Sequence, residues 1–421
     1  MPVMKKFTSL FLLLSLSILY SSCLKDKCQR TYSMFRPVYR TTAEVRASIK
    51  SNAARALERP GKLFIRGKYI FLNEIDKGIH VIDNSNPSAP KSVSFIDIPG
   101  NIDVAVKGNT LYADSYTDMV TLDITDPLKV ITKKFTDDAF PFRRYSNGFV
   151  ADTSLIIVDW VRKDTTVLVD CDGGVINFFG GCASCSFVLE SSQGMNKDAS
   201  PFGAGVGGSM ARFALMDDYL YTVTDNLLNV FNITTATDPQ FSKKLNLGWN
   251  IETIYPFKGR LFIGSNTGMF IYETSNPATP TKVGTFAHAR TCDPVIADDK
   301  YAYVTLRSGT TCQGFTNQMD VLNIENINSP VLVKSYPLTN PHGLSKDGNT
   351  LFVCDGAEGL KIYNATNVTD IRLLKQIRNL DTYDVIAFNQ VALVVTKDGL
   401  YQFDYSKLDD IRLLSKINFD K

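Results

Sequence analysis

A phrase of about fifteen residues is written again and again along this chain, and its spacing constrains the fold more than any other feature. It is clearest as "KGIHVIDNSNPSAPK" (77–91) and returns as "GMFIYETSNPATPTK" (268–282). The polar residue that closes each apolar run gives the series Asp83, Asp123, Asp170, Asn232, Glu273, Asn323, Asn364 and Asp404. Successive gaps are 40, 47, 62, 41, 50, 41 and 40. A recurrence near forty residues with strand-rich content marks a repeat architecture, in which each unit buries its faces against its neighbours.

Within residues 341–380 the unit reads "PHGLSKDG", "NTLFVCD", "GLKIYNAT" and "RLLKQIRNL". These are four short β-rich runs separated by Gly, Asn, Asp and Pro, the pattern of an antiparallel meander. The second run recurs as "NTLYAD", "GRLFIGS" and "VALVVT", the third as "MVTLDI", "LLNVFNI" and "GLYQFD". Apolar residues at most positions call for strands covered on both faces, as in sheets stacked on sheets. The expected fold is all-β: a β-propeller of about eight four-stranded blades, with a short N-terminal helix. Seven blades is the alternative if the disrupted third unit is an insertion. The end units, 61–98 and 381–419, each hold four strands, so closing the ring requires no strand exchange.

The corner after each third strand is turn chemistry. Asp, Asn or Ser takes a backbone N–H two residues on, and the following Pro blocks further pairing. The Asp83 series therefore reads as scaffold and not as catalytic machinery.

"GIHVIDNSNPSAPK", "MVTLDITDP" and "GMFIYETSNPATPTK" resemble the LVIVD-repeat family of exported bacterial proteins. The resemblance covers about 61–419 and implies a β-propeller; its motif carries no catalytic residue. The third unit departs from the pattern. "VLVDCDGG" lacks the Pro-containing corner and runs into a Gly-, Ser- and Cys-rich insertion at 171–207, either a binding loop or a disulfide-tied surface loop.

The N-terminus reads as an export signal: Lys5 and Lys6, then "FTSLFLLLSLSILY", then "SSC". "LYSSC" (19–23) resembles a bacterial lipobox, with Tyr20 off the usual leucine by one place. That resemblance implies cleavage after residue 22 and lipid on Cys23; the alternative is an ordinary signal with Cys23 in a disulfide. The expected domains are a signal peptide at 1–22, a lipidated tether and short helix at 23–60, and a propeller at 61–421. The helix is expected within 41–58. In an oxidising compartment Cys171, Cys182, Cys185, Cys292 and Cys312 become disulfide candidates, and "CASC" (182–185) reads better as a disulfide than as half a zinc site.

Candidate ligand-binding residues come from the first strand of each blade, which lines the axis of a propeller. Counting back eight or nine residues from the second-strand motif reaches Asp103, Arg212, Glu252, Asp293 and His342, with Asp384 close to register. No cofactor is expected, although these acids could hold a channel cation. The 45 basic and 43 acidic residues leave a net charge of +2 and no basic stripe, so nucleic acid is excluded as a partner. The expected function is a binding or scaffolding propeller anchored in the bacterial outer membrane, on its periplasmic or cell-surface face, with a protein, glycan or envelope partner. The alternative is a hydrolase or lyase acting on a polysaccharide or small molecule through channel carboxylates.

Overall fold

The computed structural model describes residues 27–143, 152–170, 207–248, 250–288, 294–308 and 316–419. They fall into two compact units: one built from 27–40 and 152–170, the other from 41–143 and 207–419.

The larger unit is a ring of four-stranded antiparallel sheets whose strands follow chain order. Its blades span 60–97, 104–136, 213–246, 251–287, 295–337, 344–377 and 382–418, numbered here 1 to 7. The first strands of successive blades pack on one another and form the innermost layer. Seven blades, not eight, make the ring. The third corner marker, Asp170, ends the strand Ile156–Asp170, which pairs antiparallel with Lys27–Arg40 in a two-stranded ribbon. The apolar run before Asp170 has the composition of a strand, but its hydrogen-bonding partner comes from the N-terminal segment and not from a blade.

The repeated corner does what its residue types dictate. Asp83, Asp123, Asn232, Asn323, Asn364 and Asp404 each accept, through Oδ1, the backbone N–H two residues on. Glu273, one methylene longer, is the exception among the seven blade corners. Each blade also carries one register shift between its third and fourth strands. Such bulges sharpen the local twist and bend the outer strand.

The corner's carbonyls serve a second purpose, as acceptors for the neighbouring blade. Ser94 Oγ donates to Pro127 O at 3.0 Å, Tyr221 Oη to Pro277 O at 2.8 Å, and Ser415 Oγ to Pro87 O at 2.6 Å. The last of these joins blade 7 to blade 1. Asn84 and Gln402 exchange amide hydrogen bonds across the same seam, at 2.9 and 2.7 Å. Leu63, Ile70 and Leu72 share an apolar cluster there with Ile386, Leu393 and Val395. The ring therefore closes by packing and hydrogen bonding, and each end blade supplies all its own four strands.

The N-terminal helix is shorter than its composition suggests, running only Thr42–Ala47 behind a Thr41/Glu44 capping box. It ends where Lys50–Ala53 joins the outer edge of blade 1 as a fifth strand. An open sheet edge offers a row of backbone partners, and here that pairing wins over helix propensity. Val45 is buried, and Arg46 reaches Asp118 at 2.6 Å and lies over the ring of Phe135, which fastens the helix to blade 2. Among the described residues no helix is long and apolar enough to cross a membrane.

Candidate functional site

The seven first strands share a register. Leu63, Val104, Phe213, Ile254, Val295, Leu344 and Val385 each pair with the middle of the second strand. The residue just before each is Lys62, Asp103, Arg212, Thr253, Pro294, Gly343 and Asp384 in turn. Four of these seven are charged, and they fall on consecutive blades 7, 1, 2 and 3 in alternating sign: Asp384, Lys62, Asp103, Arg212.

Lys62 and Asp103 form a buried ion pair, with Nζ to Oδ2 at 2.8 Å and both side chains 3% exposed. The same Oδ2 accepts the backbone N–H of Arg212, and Oδ1 accepts that of Val104 at 2.7 Å. Burial pulls the Lys62 ammonium below its ordinary value; Asp103 opposes that and Arg212 adds to it. Behind the pair, Asp114 Oδ1 accepts three donors at 2.8 Å each: Asn101 Nδ2 and the N–H groups of Ile102 and Asp103. Burial pushes Asp114 up to about 6 in spite of them.

Asp384 sits against a space that only glycine leaves open. A Cβ on Gly343 would come within 2.1 Å of Asp384 Oδ1. That oxygen accepts the Val385 N–H at 2.9 Å, while the buried Oδ2 has no hydrogen-bond partner among the described residues. Burial raises Asp384 to about 8, with Lys62 pulling the other way. A carboxyl in this position holds its proton at neutral pH, and so does not compete with Asp103 for the one ammonium.

The chain itself fills part of the ring's interior. The segment entering blade 3 touches four other blades: Gly207 packs on Phe64, Ser209 Oγ accepts the Leu344 N–H at 2.9 Å, Ala211 O accepts the Ile254 N–H at 2.8 Å, and Arg212 N–H reaches Asp103. Ser209, Met210 and Ala211 are buried.

Asp103, Arg212 and Asp384 are thus brought together by residues adjoining Lys62. Counting back eight residues from Leu111, Leu220 and Ala392 reaches them, and the same count from Ile70 reaches Lys62. The signal for the lysine was present in the sequence. Glu252 and His342 stand one residue ahead of the shared position, and in blade 4 that residue falls on a bulge between Ile251 and Thr253. His342 belongs to a different group: its Nε2 lies 3.2 Å from Asn340 Nδ2 and its ring meets Tyr383 edge-on. Burial, aided by Arg307, lowers His342 to about 3, so it stays neutral. Asp293, Cys23, Cys171, Cys182, Cys185, Cys292 and Cys312 lie outside the described residues, as does 171–206 of the insertion. Cys354 is buried with a free thiol. Among the described residues no group of three or more His, Cys, Asp or Glu side chains is placed to hold a metal ion.

Seven radial sheets around a layer of first strands define a β-propeller. Solved structures of similar fold include a periplasmic gluconolactonase of Pseudomonas aeruginosa, 11% identical, covering 88% of this chain and 98% of that one at a TM-score of 0.51. Sqt1 of Saccharomyces cerevisiae is 8% identical over 88% of this chain and 90% of its own, also at 0.51. A protein from Lactobacillus plantarum is 10% identical over 86% and 97%, again at 0.51. At such identities the likeness is one of fold alone. No curated protein matches the sequence. Residues 61–97, nearly all of blade 1, match the family model described as LVIVD repeat. The chain is a β-propeller, and its first blade matches the LVIVD repeat.

Proposed function

We propose that this propeller is a non-enzymatic binding or scaffolding protein, held by lipid on Cys23 at the bacterial outer membrane, that presents an outer blade surface to a protein, glycan or envelope partner. The observation that carries the reading is the state of the inner layer. Asp103 is neutralised by Lys62, and the 207–212 segment lies across the blades that a channel ligand would have to reach. The charged residues there act as ties between blades, which leaves the outer surface to do the binding.

One observation favours the alternative, a hydrolase or lyase. Asp384 and Asp103 are two buried carboxyl groups on the inner layer in unlike settings, Asp103 paired with Lys62 and Asp384 raised by burial to about 8, an arrangement that acid–base work could use. The two readings separate in one experiment. Native protein gently extracted from membranes should migrate as a complex larger than its 46.8 kDa chain, and Asp384→Asn should leave that complex intact. A monomer that turns over an oligosaccharide or lactone, with turnover abolished by Asp384→Asn, overturns the binding reading.

A further inference from the structure

The two faces of the ribbon formed by Lys27–Arg40 and Ile156–Asp170 differ in their cations, while exposed apolar side chains stand on both, Phe35 at 45% and Leu168 at 65% on the face of Thr31 and Ser33. Arg30 pairs with Val167, Met34 with Lys163, Arg36 with Val161 and Val38 with Asp159. Because side chains alternate across a strand, these pairs share one face. The pairs Thr31 with Thr166, Ser33 with Asp164 and Phe35 with Arg162 share the other.

The second face satisfies its own polar groups. Thr31 and Thr166 hydroxyls hydrogen-bond at 2.9 Å, Ser33 Oγ donates to Asp164 at 2.5 Å, and Arg162 Nε meets the same carboxylate at 3.0 Å. The first face does not. Arg30, Arg36 and Lys163 are exposed and form no ion pair with another described residue; Asp159 is the one acid among them. Between these cations stand exposed apolar side chains: Met34 at 46%, Val38 at 36% and Val161 at 54%. Cations on long apolar stems interleaved with aliphatic groups are what an interfacial surface needs, since the stems lie along hydrocarbon while the charges reach phosphate.

Chain length says where this face is held. Lys27 follows Cys23 by four residues, which span at most roughly 14 Å whatever their conformation. Acyl chains on Cys23 would keep the start of the ribbon within reach of the headgroups. We propose that the ribbon face bearing Arg30, Met34, Arg36, Val38, Val161 and Lys163 lies on the anionic phospholipid surface of the membrane that takes up those chains. The inference rests on the lipid anchor proposed above. A two-stranded ribbon is marginal in water by itself, so covering one face also supplies burial that the ribbon lacks. Lipid on Cys23 and a basic patch then give the two signals that stable anchoring takes.

The test uses the mature chain, residue 23 onward, carrying Cys23→Ala so that no acyl group contributes. Flotation with vesicles of phosphatidylethanolamine and phosphatidylglycerol (7:3) should show binding that fades at high salt. Each cation near such a surface is worth roughly a fivefold change in affinity, so the triple variant Arg30→Gln, Arg36→Gln, Lys163→Gln should bind about a hundredfold more weakly. Arg162→Gln, on the opposite face, should bind like the parent. All these positions are exposed, and circular dichroism will confirm that the variants stay folded. Equal binding to pure phosphatidylcholine vesicles, no binding to either, or a triple variant that binds like the parent each overturns the proposal. Acyl labelling of the native protein reads the anchor separately. Absence of label with vesicle binding intact would remove the Cys23 lipid and leave the ribbon assignment standing.

Discussion

Lys62 of blade 1 and Asp103 of blade 2 are joined at 2.8 Å inside the ring, each almost wholly shielded from water. The pair does more than neutralise charge. Asp103 passes the tie on to blade 3 through the Arg212 N–H, so one carboxylate links three consecutive blades. Burying two ions costs several kcal/mol, which their attraction repays only with further hydrogen bonds in place, and Asp103 has two from backbone N–H groups.

Removing one partner should therefore be expensive. Lys62→Met keeps most of the stem volume and strands a buried carboxylate, and we expect it to destabilise the protein by about 3–5 kcal/mol. Adding Asp103→Asn should recover much of that loss, because a neutral amide oxygen still accepts the N–H of Val104 or Arg212. Urea denaturation of the single and double variants checks both. Equal loss in the two would mean that packing, not charge, decides the site.

Asp384 predicts a pH dependence. Its carboxyl lies near 3.8 in the unfolded chain and about 8 in the folded one, so between those values the folded state binds the extra proton. Stability from this group is full below about 4 and is lost as pH rises towards 8. The wild type should lose about 1–3 kcal/mol between pH 5 and pH 8 relative to Asp384→Asn, which has nothing to ionise. Thermal melts of both proteins across that range measure the difference. Parallel curves would place Asp384 in its ionised form throughout.

A side chain at Gly343 should be costly. Its Cβ would lie 2.1 Å from Asp384 Oδ1 and 3.2 Å from Asp384 Cα, so the buried carboxyl must turn away and the backbone must give by a few tenths of an ångström. Gly343→Ala is expected to cost about 1–3 kcal/mol, the usual range for overpacking. Combined with Asp384→Ala it should cost less than the two changes added together, since the contacting carboxylate is then absent. Strict additivity in denaturation would locate the strain in the backbone instead.

The anchor has its own test. Cys23→Ala should abolish incorporation of labelled fatty acid and move the protein out of the membrane fraction. Should the ribbon face hold to lipid, a residue of salt-sensitive association will persist after the label is gone. Unchanged labelling would rule out Cys23 as the acylated residue.

The repeat period, the four-strand unit, the Asx corner and the self-contained end blades were all legible in the sequence. Each depends on residues near one another in the chain. An Asp or Asn side chain reaches the N–H two residues on, and a strand's apolar pattern follows from its own neighbours. Reading the inner layer needed more than this. Counting eight residues back found Asp103, Arg212 and Asp384, and an equal count finds Lys62, but a list of ring positions does not say which side chains meet. Only the stacking of blades 7, 1, 2 and 3 brings the four residues together, with Lys62 paired to Asp103 and Asp384 keeping its proton because burial disfavours its charged form.

The choice between eight blades and the seven-blade alternative, which is the one that holds, turns on the same point. Residues 167–170 have the composition of a blade strand, and strand propensity is blind to the partner. The tertiary structure pairs them with residues 27–30, well over a hundred positions away, and the two form a ribbon. In β-structure the hydrogen-bonding partner is non-local, so sequence sets which segments extend and which faces are apolar. Which edges meet, and therefore how many blades close the ring, is settled only when the whole chain has packed.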